Sequence, residues 1–184
     1  LEQAAIQGYA GLLRAKTPQK ALEQARRFKI LCAVHKGPLG VEALNRLARK
    51  ALRKLGIADA EERWYPGRPV LVLRNDYAVG LFNGDLGVAM PDPDSGQIQV
   101  YFPMENGGLR AVSPFRVPEH QTAFAMTVHK SQGSEFDQVL LVLPEKDAPL
   151  LTRELIYTGA TRARRRVALC ASGPLFTAGV RRRV

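Results

Sequence analysis

Between Thr127 and Asp137 the sequence reads TVHKSQGSEFD, crowding a histidine, a lysine, a serine, a glutamine and a glutamate around the single glycine Gly133. A core strand has no use for such side chains. Ser131, Gln132 and Gly133 can offer a hydroxyl, an amide and unobstructed backbone N–H groups to an anion. A carboxylate such as Glu135 accepts but does not donate, which suits a pair of ribose hydroxyls better than a phosphate. The same residues also read as a helix cap, with Ser131 or Ser134 as the capping residue and Glu135 in the first turn. Residue types leave both readings open.

A second constellation, ELIYTGATRARRRV, runs from Glu154 to Val167. Leu155, Gly159 and Ala163 recur at helical spacing and predict a small-residue face that packs closely on a sheet. Thr161 and Arg162 fall away from that face. An arginine exposed at a helix end is ordinarily surface decoration, but beside a loop that holds a sugar it can reach a phosphate.

These groups need a scaffold, and the flanking texture supplies one. TAFAMT (Thr122–Thr127) predicts a strand whose carboxyl end carries the glycine-centred motif, the position where open α/β sheets bind ligands. Strands follow at QVLLVLP and RRVALCA, with a helix over TRELIYTGATRA between them. Upstream, residues 1 to 15 predict a helix with Ala5, Ile6, Tyr9, Leu12 and Leu13 on one side. A second helix begins at Thr17 as N-cap with Pro18 in the first helical position. FKILCAV predicts a strand covered on both faces. VEALNRLARKALRKLG predicts a helix with Val41, Leu44, Leu47, Ala48, Ala51, Leu52 and Leu55 as its apolar stripe and Gly56 as its end. From RPVLVLRND to RAVSPFRV the texture changes to short strands broken by NGD, DPDSG and NGG. That pattern predicts an antiparallel meander of SH3-like barrel size. The expected organisation is an α/β domain over residues 1–64 and 119–184, interrupted by a β insertion over 65–118.

Composition narrows the function classes. A chain of 184 residues with 46% hydrophobic content has material for a real core. No apolar run reaches the roughly 20 residues needed to span a membrane, and no signal peptide opens the sequence. Cys32 and Cys170 lie in apolar segments and are expected to pack in a core in a reducing cytoplasm. The histidines and cysteines have no metal-ligand spacing. Lys plus Arg number 27 against 17 acids, a net charge of +10, which points to a polyanion, nucleic acid first. Part of the excess lies in Arg181 to Arg183, readable as a loose basic tail.

In this order and spacing, AMTVHKSQGSEFDQVLLVLP and ELIYTGATRARRRVAL resemble motifs V and VI of superfamily 1 helicases, most of all the RecD type, the alpha subunit of exodeoxyribonuclease V. CAVHKGPLGVEALNR resembles the motif IV region, and WYPGRPVLVLRNDYAVGLFNGDLGVAM resembles the segment that follows. The resemblance covers residues 28 to 171. It implies a RecA-like second motor lobe (domain 2A) interrupted by an SH3-like domain 2B. It further implies that Glu135 binds the ATP ribose, with Gly133, Gln132 and Thr161 around the nucleotide, and that Arg162 reaches the γ-phosphate. Thr127, His129, Lys130 and Ser131 would contact single-stranded DNA, and RecD-type motors run 5′ to 3′.

The chain departs from a complete helicase of that family. No glycine is followed by lysine, so a phosphate-binding G-x-x-x-x-G-K-[ST] is absent, and Pro144 and Lys146 spoil LLVLPEKD as a Mg²⁺-binding strand end. His35 stands where the family usually has another basic residue, often arginine. The resemblance is therefore to the carboxy-terminal half of such an enzyme. ATP and Mg²⁺ would be used by the full-length protein, and the partners implied are the N-terminal motor lobe, single-stranded DNA and subunits of RecB and RecC type. A non-catalytic DNA-binding or protein-docking module is the alternative.

Overall fold

The computed structural model describes residues 1–54 and 63–183. In chain order the elements are α1 (Glu2–Leu13), α2 (Pro18–Arg27), β1 (Phe28–Cys32), α3 (Val41–Arg53), β2 (Pro69–Val72), β3 (Leu86–Pro91), β4 (Ile98–Pro103), β5 (Leu109–Val112), β6 (His120–Thr122), β7 (Ala125–Thr127), β8 (Phe136–Val142), α4 (Arg153–Ala160), β9 (Ala163–Cys170) and α5 (Gly173–Arg181). Short 3-10 turns cover Pro114–Arg116 and His129–Ser131. Thr17 caps α2, its Oγ1 accepting from Lys20 N–H at 3.3 Å, and Pro18 opens the helix as expected. The expected helix end at Gly56 and stripe position Leu55 lie outside the described residues.

The chain divides into two compact units. One comprises Leu1–Ala5, Arg26–Ala48 and Phe124–Val184. It holds a four-stranded sheet in the order β7-β1-β8-β9, every pair parallel. β1 is buried at every position, which is why, Lys29 apart, it reads as an apolar run. Gly159 of α4 lets that helix approach β8 closely, since a Cβ there would stand 2.9 Å from Leu141 and 3.1 Å from Val128. The mixed α/β architecture with a parallel sheet agrees with the RecA-like lobe that the resemblance implies.

The other unit comprises Ile6–Ala25 and Arg49–Ala123, and so extends beyond residues 65–118 on both sides. Its five-stranded sheet has the order β5-β4-β3-β2-β6 and is antiparallel throughout. The core gathers Val70, Val72, Leu81, Ala89, Val100, Phe102, Val112 and Val117. The turn residues act as their types predict. Asp92 accepts from Ser95 N–H at 2.9 Å, Asn106 accepts from Gly108 N–H at 3.0 Å, and Gly84, Gly96 and Gly107 take positive φ.

Four local expectations need correction. TAFAMT is not one strand: Ala123 N–H donates to Pro69 O at 2.9 Å, while Phe124 O accepts from Ile30 N–H at 3.4 Å. The chain thus leaves the antiparallel sheet and joins the parallel one between adjacent residues, and both sheets want them buried, so composition carries no mark of the switch. Secondly, α4 stops at Ala160, because Thr161 serves as its C-cap and Ala163 already pairs with Phe136 in β9. The basic tail is not loose. α5 is capped by Ser172, and Arg182 binds Asp147 at 2.6 Å and donates to Leu151 O at 3.2 Å. Lastly, Cys32 is fully buried but Cys170, at the end of edge strand β9, is only half-buried. No helix among the described residues is long and apolar enough to cross a membrane.

Candidate functional site

Register fixes where the TVHKSQGSEFD motif lies on the parallel sheet. Thr127 is level with Cys32, and Cys32 with Val142, so β7 delivers the motif at the carboxyl end of the sheet. Glu135 and Arg162 instead immediately precede β8 and β9, at the amino ends of those strands. The expectation of a single site outside the carboxyl ends is therefore corrected. One short segment runs from one end of the sheet to the other, and its residues divide between them.

At the carboxyl end, a turn holds the first group. Thr127 Oγ1 accepts from Lys130 N–H at 3.1 Å, and the 3-10 turn His129–Ser131 follows. His129 is exposed and Lys130 half-buried. Ser131 is fully buried, its hydroxyl donating to Val128 O at 2.7 Å. That hydroxyl tightens the turn and is not presented to a ligand, so the structure keeps Thr127, His129 and Lys130 together at the surface and withdraws Ser131. Exposed Gln132 leads to exposed Gly133 at φ +81, a left-handed conformation that a residue with a Cβ adopts only with strain.

At the amino ends, the two motifs meet. Phe136 N–H donates to Arg162 O at 2.9 Å, which binds the end of the first motif to the second through the main chain. Half-buried Arg162 donates through Nε to Thr158 O at 3.2 Å, through Nη1 to Ser134 O at 3.5 Å and through Nη2 to Thr161 Oγ1 at 3.5 Å. The two Nη contacts are at the limit of hydrogen bonding, so a stronger acceptor can take them over at little cost. Thr161 is exposed, its hydroxyl donating to Thr158 O at 3.1 Å. Exposed Glu135 is bound by Arg164, whose Nε lies 2.9 Å from Oε2. Arg162, Thr161 and Glu135 thus lie at adjoining strand ends, with Gly133 on the same connection as Glu135.

Two residues escaped the sequence reading. Asn45 is nearly buried on α3 and grips β7 by donating to Ala125 O at 2.9 Å and accepting from Ala125 N–H at 3.0 Å, with a further bond to Val41 O at 3.0 Å. Its signal was an asparagine set in the apolar stripe of α3, where only a polar group with buried partners belongs. Arg164 is the other. It stood in a run of arginines with nothing to distinguish it until β9 was seen to pair with β8. His35, in the motif IV region, lies with Nδ1 3.6 Å from Glu42 Oε1 at the surface.

The donor set fits a nucleotide: Glu135 supplies acceptor oxygens, Arg162 supplies cationic donors, and Gly133, two residues before Glu135, is exposed. No three histidine, cysteine or acidic side chains among the described residues gather into a metal site.

Comparison with known proteins bears on the same stretch. The family described as UvrD-like helicase C-terminal domain matches residues 122–170, which contain both motifs. The chain is 37% identical over 182 residues to the RecBCD enzyme subunit RecD of Mycolicibacterium smegmatis, covering 99% of this chain and 30% of that protein. It is 36% identical over 140 residues to the ATP-dependent RecD2 DNA helicase of Deinococcus radiodurans, covering 75% of this chain and 19% of that one. The solved structure of Pif1 helicase from Bacteroides in complex with ADP-AlF3 and ssDNA matches at a TM-score of 0.47 and 18% identity, over 92% of this chain and 48% of that chain. The chain spans less than a third of the length of these curated relatives. In sequence it corresponds to the C-terminal part of RecD-type helicases, over 99% of its own length in the M. smegmatis comparison.

Proposed function

We propose that this chain is the second motor lobe of a longer ATP-dependent DNA helicase that moves 5′ to 3′ on single-stranded DNA. The supporting observation is the junction of the two motifs, where Glu135 and Arg162 lie on adjacent strand ends joined by the Phe136–Arg162 hydrogen bond. In this reading residues 1–64 and 119–184 form the motor lobe, and 65–118 form an SH3-like insertion around the five-stranded sheet. Subunits of RecB and RecC type are proposed as partners in the cytoplasm, because RecD relatives carry the name of that complex.

ATP, with Mg²⁺, would supply the hydrolysis energy and would be held mainly by the other lobe. The residues here act on it as a half-site. The Glu135 carboxylate accepts from ribose hydroxyls and so fixes the sugar, with Gly133, Gln132 and Thr161 nearby. Arg162 releases Ser134 O and Thr161 Oγ1 and turns its guanidinium to charge developing on the transferred phosphoryl group. Thr127, His129 and Lys130 bind the DNA backbone at the far end of the same segment, assisted by the +10 charge. Because one short connection carries both sets, movement at the nucleotide end is transmitted to the DNA end.

The test is ATP hydrolysis by two proteins, the full-length parent and this chain alone. The parent is expected to turn over ATP with stimulation by single-stranded DNA, and the chain alone is expected to turn over none. A parent with no ATPase would favour the non-catalytic DNA-binding or docking module. Turnover by the chain alone, abolished by a substitution within it, would overturn the half-site reading.

A further inference from the structure

The pairing of β8 with β9 contains an irregularity exactly where the proposed site lies on the sheet, and its contents have a chemical use. Phe136 is level with Ala163, but Gln138 is level with Arg166. Asp137 alone on β8 therefore faces two residues on β9, Arg164 and Arg165. A bulge of this kind is rare between parallel strands, breaks the local ladder and re-aims the side chains it carries. Here it aims Arg164 at Glu135, with Nε 2.9 Å from Oε2, and leaves Arg165 Nε 4.0 Å from Asp137.

Stability does not account for the arrangement. The Arg164 and Glu135 side chains are 63% and 53% exposed. A pair so open to water contributes little to folding, while the bulge gives up regular pairing on an edge strand. What the contact does fix is direction. Glu135 follows two residues after a left-handed glycine and would otherwise sample several rotamers in solvent. Among the described residues only Oε2 accepts a hydrogen bond, at 2.9 Å from Arg164 Nε.

We infer that Arg164 is a positioning residue for nucleotide binding: it holds one oxygen of the Glu135 carboxylate so that the other is presented to a ribose hydroxyl. This rests on the proposed reading of Glu135 as the ribose-binding carboxylate. A guanidinium is suited to the task because its Nε–H donates along a fixed direction in the plane of the group. Arg162 touches the phosphoryl group in this scheme, whereas Arg164 acts only through Glu135.

The experiment compares KM for ATP and for 2′,3′-dideoxy-ATP in the full-length protein, with melting curves to confirm that each variant folds. The wild type should prefer ATP by about tenfold or more, and Glu135→Gln should erase most of that preference. Arg164→Ala should narrow the preference about two- to fivefold while kcat stays within about twofold. Arg164→Lys should recover part of the lost preference, Arg165→Ala should leave it unchanged, and Arg164→Ala combined with Glu135→Gln should do no more than Glu135→Gln alone. An Arg164→Ala variant with undiminished preference, or with tighter ATP binding, would overturn the positioning role; the second result would show that the arginine competes with the ribose. If Glu135→Gln itself leaves the preference intact, the ribose reading of Glu135 falls and the positioning role falls with it.

Discussion

The turns of the antiparallel unit and the junction of the two motifs in the parallel unit use their polar side chains in opposite ways. In the antiparallel unit they fold back on their own turns: Asp76 accepts from Ala78 and Val79 N–H at 3.0 Å, Asp85 from Phe82 N–H at 2.7 Å, and Asp92 from Ser95 N–H and the Tyr101 hydroxyl. The Ser95 main-chain bond, with help from the Ser95 and Tyr101 hydroxyls, holds the Asp92 carboxyl below its ordinary range. In the parallel unit the Arg162 Nη groups make only two contacts of 3.5 Å beside the 3.2 Å bond from Nε to Thr158 O, and Glu135 keeps an oxygen open. A polar group satisfied within its own turn serves the fold. One held by long or partial contacts, on a connection the sheet has already fixed, is available to a ligand.

The largest effect expected from this contrast is on stability in the antiparallel unit. Phe102 is buried in its core and sits against Gly87, where a Cβ would stand 2.6 Å from the ring. Phe102→Ala should cost about 3–5 kcal/mol, read by chemical denaturation of the chain. A cost below about 1 kcal/mol would mean that this sheet has no packed core of its own.

The parallel unit offers a pH test of its scaffold. Lys29 on β1 is 1% exposed, with Nζ 5.3 Å from the centre of the Phe136 ring. Burial lowers its pKa from 10.5 to about 7. The unfolded chain therefore binds this proton more tightly than the folded one, so stability is full above pH 10.5 and falls as pH drops toward about 7. Lys29→Met should flatten that slope and raise stability at pH 7 by about 1–3 kcal/mol. An unchanged slope, or a loss of stability at pH 7, would show that the ammonium is well accommodated in the core.

How much of this was legible in advance varies with the physics. Burial writes itself into sequence, so β1, β8 and the α3 stripe were plain, as were turns whose Asp, Asn and Gly residues act locally. The switch between sheets at Ala123 and Phe124 was not, because two buried environments ask for the same residue types. Arg162 and Glu135 were legible as chemistry, but their place at the amino ends of β8 and β9 depends on strand order. Arg164 depended on a register shift, which no single segment encodes. The loose tail was misread because the partner of Arg182 is Asp147, thirty-five positions away.

A smaller effect separates the aromatics. Phe102 is buried, whereas Tyr77 is 80% exposed and stands edge-on to Phe82 at 5.8 Å. Tyr77→Ala and Phe82→Ala should each change stability by less than about 0.5 kcal/mol. If DNA bases stack there, each should weaken single-stranded DNA binding by about 1–3 kcal/mol without changing its salt slope, which arises at about −0.7 per neutralised phosphate. Equal affinity in wild type and both variants would leave the antiparallel unit without a stacking role.

Arg162 tests the central claim most directly. In the full-length protein, single-turnover and steady-state ATP hydrolysis should be compared for wild type, Arg162→Ala and Arg162→Lys at saturating DNA. The account predicts that Arg162→Ala loses about 10³–10⁵ in turnover while nucleotide and DNA binding largely survive. Lysine should restore little, because a point charge cannot reproduce the planar fork of a guanidinium. Turnover of Arg162→Ala within about tenfold of wild type would contradict the assignment and move the search to His35 and Arg46 of the motif IV region.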